Sequence, residues 1–231
     1  MRILVFSDIH SKTDNISSIV EKNSFDNIIF AGDIFGYFIG SNSVINFVLK
    51  NKIEFILGNH DLYFLRRLNV NHFKKKFSEY ENLMLSDFEY KDRYGAIDET
   101  LINIKYEDVH TFYNSKLLKT LNIDSLQILI CHGSPFNPFN EYLYPDSDKF
   151  NNIFATFKFD ILICGHTHKQ FIFKKGERYI INPGSCTLPR GENKPSYIII
   201  ETNPVKITLF ESQQNIQYII ESKSKVKLIE K

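Results

Sequence analysis

The 231-residue chain has no tryptophan and only three cysteines, Cys131, Cys164 and Cys186. Three irregularly spaced thiols build neither a disulfide framework nor a CxxC zinc site, so a reduced, cytoplasmic protein is the expectation. Neither sign of charge is in excess. With 28 Lys and Arg against 27 Asp and Glu the formal net charge is +1, without the basic footprint of a nucleic-acid or membrane-surface binder. Long apolar runs are missing too. None approaches the roughly 18 residues of a spanning helix, and the run 3–6 is too short for a signal-peptide core. Internal repeats, low-complexity tracts and linkers are also absent. What remains is 43% hydrophobic and 24% charged, a composition that excludes wholesale disorder and suits one large domain over 1–231.

A recurring pattern is present instead. Five β-branched or apolar runs each stop at residues able to bind a metal. Run 3–6 precedes Asp8-Ile9-His10, run 28–30 precedes Gly32-Asp33, and run 53–57 precedes Gly58-Asn59-His60-Asp61. Run 128–131 precedes His132-Gly133, and run 161–164 precedes Gly165-His166-Thr167-His168. Apolar runs without alternation read as strands buried on both faces. Helical faces at Ile16, Ile19 and Val20, and at Val44, Ile45, Val48 and Leu49, separate the first three strands. That order predicts parallel pairing through right-handed crossovers. It puts Asp8, His10, Asp33 and Asn59 on one sheet edge, where open α/β sheets build their sites.

Residues 62–124 read as a helical insert. Phe73, Phe77, Tyr80 and Met84 form an apolar stripe there, Lys74-Lys75-Lys76 a solvated face, and His72 and His110 read as structural or surface residues. After the last motif, 171–173, 179–181, 197–200, 205–210 and 216–220 read as five short strands of antiparallel character. The polar tail from Ser222 is expected to fray.

Two carboxylates, an amide oxygen and several imidazoles form a donor set for two borderline divalent ions, manganese first, with iron, zinc or nickel as the other candidates. Asp8 and Asp33 held a few ångströms apart would repel by about 4 kcal/mol at an effective dielectric of about 20. Neutral histidines supply no counter-charge, so one aspartate would protonate unless cations are present.

Taken together, the five motifs resemble, in order and over 8–168, the signature of the calcineurin-like metallophosphoesterases. Asn182-Pro183-Gly184-Ser185 resembles a turn of the small bacterial and archaeal phosphodiesterase branch. The resemblance implies an α/β fold of two mixed β-sheets packed face to face and flanked by helices, an α/β/β/α sandwich. It implies that Asp8, His10, Asp33 and His168 hold one metal ion, that Asp33, Asn59, His132 and His166 hold the second, and that Asp33 bridges. Asn59 and His60 are implied to contact substrate. His60 would stand at the open face, on a phosphoryl oxygen or protonating the leaving group. Asp61 either orients His60 or holds its loop.

The implied reaction is in-line attack of a metal-bridging hydroxide on a small phosphodiester. A phosphomonoesterase or nucleotide pyrophosphatase on the same site is the alternative, and a non-catalytic metal-binding scaffold is the alternative of another class. No arginine follows Gly32-Asp33, where the Ser/Thr phosphatases of the superfamily place a phosphate clamp, and this weighs towards a diester. Arg66, Arg67 and Arg93 are candidate phosphate contacts if the insert serves as a lid. Cys131 precedes His132 by one strand position and should face the other way.

Overall fold

The computed structural model describes residues 1–79, 95–191, 193–211, 214–220 and 227–229. The chain opens with β1 (Arg2–Phe6), α1 (Asp14–Lys22), β2 (Asn27–Phe30), α2 (Ser41–Lys50) and β3 (Glu54–Phe55). Four helices follow, α3 (Asn59–Leu68), α4 (Val70–Lys76), α5 (Ala96–Asn103) and α6 (Tyr106–Asn114). The hairpin β4 (Leu118–Ile123) and β5 (Leu126–Cys131) leads to α7 (Phe150–Thr156) and β6 (Ile161–Ile163). The rest is strand: β7 (Gln170–Lys175), β8 (Arg178–Pro183), β9 (Ser196–Thr202), β10 (Val205–Glu211), β11 (Gln214–Ile220) and β12 (Lys227–Ile229).

These strands form a seven-stranded sheet, β12-β11-β10-β9-β1-β2-β3, and a five-stranded sheet, β4-β5-β6-β8-β7. In the first, β1 pairs parallel with β2 and antiparallel with β9. In the second, β5, β6 and β8 are parallel neighbours and the outer strands β4 and β7 are antiparallel. Both sheets are therefore mixed, as expected.

The period of two along each strand explains the layers. Ile3 and Val5 of β1 meet Ile128 and Ile130 of β5 and Ile161 and Ile163 of β6 in one buried apolar layer between the sheets. Leu4 and Phe6 point the other way, into a second core with Val44, Phe47 and Val48 of α2. Leu129, Cys131 and Leu162 face Phe150, Ile153 and Phe154 of α7 in a third. Every central strand is thus covered on both faces, which is why its sequence does not alternate. Cys131 faces away from the strand-end histidines, as its position predicts.

Three expectations are corrected. The stretch 118–123, read within a helical insert, is strand β4, because its cross-strand register with β5 buries Ile123 in the inter-sheet layer. Strand β8, read as antiparallel in character, also pairs parallel with β6, since the single turn between β7 and β8 returns it to the middle of the sheet. Asn59 and His60, read as loop residues, are the first turn of α3. Phe73 and Phe77 are buried with ring centroids 5.0 Å apart, while Tyr80, Met84 and Arg93 lie outside the described residues. Lys74, Lys75 and Lys76 are exposed. Most of the tail from Ser222 also lies outside, apart from β12. Among the described residues, no helix is long and apolar enough to cross a membrane.

Candidate metal centre

The C-terminal ends of β1, β2, β5 and β6 and the start of α3 converge at one edge of the sandwich. There the backbone turns sharply. Asp8, His10, Asp33, His166 and His168 all have positive φ, between 46° and 67°. Non-glycine residues are uncommon in this region, and each costs on the order of 1–3 kcal/mol unless its surroundings impose it. The turns aim the side chains inward instead of along the strands. Ligand atoms of Asp8, His10, Asp33 and His168 lie within 4.8 Å of one another, as do those of Asp33, His132 and His166. Asp33 belongs to both groups.

Two observations test whether these residues suit divalent ions. The first is spacing. His168 Nε2 is 3.3 Å from Asp8 Oδ1, His132 Nε2 is 3.2 Å from Asp33 Oδ2, and His10 Nε2 is 3.8 Å from Asp33 Oδ2. Atoms held at about 2.0–2.2 Å from one ion stand at most about 4.0–4.4 Å apart, so these spacings fit shared ligation. The second is unspent polar capacity. Asp8 Oδ1, Asn59 Oδ1, His132 Nε2 and His166 Nε2 are fully buried without a hydrogen-bond partner of acceptable geometry. Buried polar atoms left in this way are costly and call for an ion or water.

Backbone carbonyls select the tautomers. The Nδ1–H groups of His10, His132 and His168 donate to the carbonyl oxygens of Phe35, Ala31 and Leu188. Each Nε2 is thereby turned towards the carboxylates, the orientation that metal-binding imidazoles adopt when their other nitrogen is fixed.

The ionisation of the metal-free site corrects one expectation. Burial favours neutral aspartates, yet His168 and His132 hold Asp8 down to about 2, and His132 and His60 hold Asp33 well below the usual carboxylate range. Burial opposes charge on His132, but Asp33 and Asp8 push it up to about 9, and Asp8 raises His168 likewise. His132 therefore supplies a positive counter-charge beside Asp8 and Asp33, and the carboxyl pushed up, to about 7, is that of Asp61, by burial and by Asp33. His10 and His166 are pushed down to about 3, chiefly by burial, and keep free lone pairs.

The supports differ between the sheets. Asp61 accepts the backbone N–H groups of Asp33, Ile34, Phe35 and Gly58 at 2.8–3.0 Å. Of its two expected roles the structure thus supplies the loop-holding one. On the other sheet, the Asn182 amide donates to Gly165 O at 2.7 Å and Thr167 Oγ1 at 3.0 Å, spanning the last motif. Ser185 and Thr187 hydroxyls donate to the Asp8 carbonyl. Two motif glycines are required by close approach: a Cβ at Gly58 would overlap Asp33 Oδ1, and one at Gly165 would overlap Ser7 Oγ.

His60 is 6% exposed and not open to solvent, because its ring packs against His10 at 4.9 Å, Tyr37 at 4.7 Å and Tyr63 at 5.6 Å. Its backbone N–H donates to Asp33 Oδ1 at 2.9 Å. Asn59 is also buried and lies close to the Tyr63 hydroxyl.

Residues that the strand-end pattern did not single out complete the surroundings. Tyr37 packs edge-on to His10 and tilted to His60, and Tyr142 stacks on His166 at 3.9 Å. Arg190 lies within electrostatic reach of the Tyr142 hydroxyl and of Asp8. No local pattern marked Arg190; only the fold shows that Leu188, two residues before it, accepts from the His168 ring. Of the arginines named from the insert, Arg67 pairs with Asp98 at 2.7 Å at the surface. His110 is exposed.

Two sheets that pool carboxylates and imidazoles at one edge define a metal-binding α/β/β/α protein. The chain belongs to the calcineurin-like phosphoesterase superfamily, whose domain model matches residues 1–204. It is 26% identical over 97 residues to phosphodiesterase YfcE of Escherichia coli, covering 42% of this chain and 46% of that protein. It is 28% identical over 102 residues to a probable metallophosphoesterase of Methanothermobacter thermautotrophicus, covering 43% and 54%. These matches span about half the length of the curated relatives. A metallophosphoesterase structure from Sphaerobacter thermophilus superposes with a TM-score of 0.70 at 24% identity, covering 92% of this chain and 88% of that one.

Proposed function

We propose that the protein is a dinuclear, metal-dependent phosphodiesterase acting on a small phosphodiester. The observation that carries this reading is the membership of Asp33 in both ligand groups, with unpaired donor atoms from both sheets around it. In this proposal Asp8, His10, Asp33 and His168 hold one divalent cation, and Asp33, Asn59, His132 and His166 hold the other. When bound, two such cations, manganese foremost, neutralise the phosphoryl oxygens and acidify water at neutral pH.

The chain's own residues do the rest. Buried His60, whose pKa burial lowers, is mostly neutral at pH 7, so its role is an N–H donor to a phosphoryl oxygen more than a proton source for the leaving group. Asp61 keeps the Asp33 turn rigid, and Asn182 does the same for the His166 and His168 turn. Positioning of this kind is where most of the catalytic work of phosphoryl transfer lies.

The test is manganese-dependent hydrolysis of bis(p-nitrophenyl) phosphate alongside p-nitrophenyl phosphate, with elemental analysis of the purified protein. About two metal equivalents and preferential diester turnover, both lost in Asp33→Ala, are expected. Preference for the monoester would move the reading to a phosphomonoesterase. Less than one equivalent with no turnover would leave the scaffold.

A further inference from the structure

Next to the metal centre, the segment after Ser134 presents two tyrosines to solvent in a fixed arrangement. Leu143 is 1% exposed and packs into the core beneath α7, so its neighbours at one residue either side, Tyr142 and Tyr144, are turned outward together. They are 41% and 39% exposed, and their rings are nearly parallel, 10° apart with centroids 6.0 Å apart. Tyr142 also stacks on His166, so the aromatic surface starts at a candidate ligand and runs outward. Two cations flank it. Arg190 stands close to the Tyr142 hydroxyl, and Lys169 Nζ lies 5.4 Å from the Tyr144 ring centroid.

Large aromatic side chains left this exposed, parallel, and braced by cations beside a catalytic edge have a physical reason when something flat and electron-rich stacks on them. The anionic phosphate of the same ligand is served by the cations. We infer that Tyr142 and Tyr144, flanked by Arg190 and Lys169, form a subsite for a planar aromatic group, aryl or nucleobase, on the retained ester arm of the substrate. The inference rests on the phosphodiesterase reading and narrows it to aromatic or nucleoside esters. Stacking is tolerant of ring identity, because every such ring offers a π-face.

The test compares three diesters with a common leaving group on the manganese-loaded protein: methyl, phenyl and thymidine-5′ p-nitrophenyl phosphate. In the wild type, kcat/KM for the phenyl or thymidine ester exceeds that for the methyl ester by about tenfold or more, mostly through KM. Tyr144→Ala and Arg190→Ala bring that ratio below about threefold, and Tyr144→Phe restores it. The phenyl and thymidine arms separate a general aryl site from a nucleoside site. A wild-type ratio near one, or a ratio unmoved by Tyr144→Ala, overturns the subsite. If no diester is hydrolysed, the phosphodiesterase reading fails by itself. Calorimetric affinities for phenyl phosphate and methyl phosphate then decide the subsite: a preference lost in Tyr144→Ala upholds it, and equal affinities overturn it.

Discussion

Asp8, His10 and Asp33 reach the candidate metal centre from the seven-stranded sheet, whereas His132, His166 and His168 reach it from the five-stranded sheet. One side supplies both carboxylates and the other supplies imidazoles alone. Carboxylates from one sheet are matched by His132 and His168 from the other, each raised in pKa by those same carboxylates. Charge balance is thus a property of the packed pair of sheets, and neither sheet has it alone. The clamps differ in the same sense. Asp61 is an acid that burial and the nearby Asp33 push up to about 7 and whose oxygens collect backbone N–H groups, while Asn182 is neutral and donates to oxygen atoms.

The strongest way to break this comparison is at Asp33, the residue common to both ligand groups. Asp33→Ala should reduce bound metal below one equivalent and lower manganese-dependent turnover by about a thousandfold or more, equivalent to about 4 kcal/mol. Elemental analysis and steady-state rates measure this, and near-normal values would show that no carboxylate is shared.

The two clamps sharpen the contrast next. Asp61→Ala strands four backbone donors and should destabilise the chain by about 3 kcal/mol or more, against about 1–3 kcal/mol for Asn182→Ala. Equal losses in denaturant titrations would erase the distinction between a carboxyl and an amide clamp.

Because the cation sites draw on both sheets, chelation should lower thermal stability. At metal concentrations about a hundred times Kd, each bound ion contributes about 2.7 kcal/mol, so stripping one lowers Tm by about 5–10 °C and stripping both by about 10–20 °C. An unchanged Tm would mean that the edge is held by the imidazolium pairs alone.

The smallest effect is a proton. In the metal-free chain His132 is raised from 6.5 to about 9, so its stabilising charge is fully present below about 6.5 and lost as pH rises through about 9. A metal ion must displace that proton. Metal uptake at pH 7–8 should therefore release about one proton at His132, and apparent affinity should rise with pH up to about 9. Calorimetric titrations in two buffers of different ionisation enthalpy read this number, and zero release would place the raised pKa elsewhere.

Much of this edge was legible before the structure. Unalternating runs such as 3–6 and 161–164 announce strands covered on both faces, and each ended in donors. The strand β4 was not legible, since Leu118, Leu121 and Ile123 fit no clean period and only pairing with β5 decides their state. Tyr142 and Arg190 were hidden for a different reason. Aromatic residues and arginines are common at surfaces, and nothing in their local spacing shows that Leu143 turns the one outward or that Leu188 brings the other near His168.

By itself the sequence determined most of the elements, their parallel opening, the candidate donor residues and the family, because periodicity and strand-end chemistry are local. The tertiary structure alone decided how charge is shared, which turns Asp61 and Asn182 hold, and what flanks the site. Those depend on distances between two sheets whose strands are up to about 200 residues apart in the chain, and no local pattern encodes such distances.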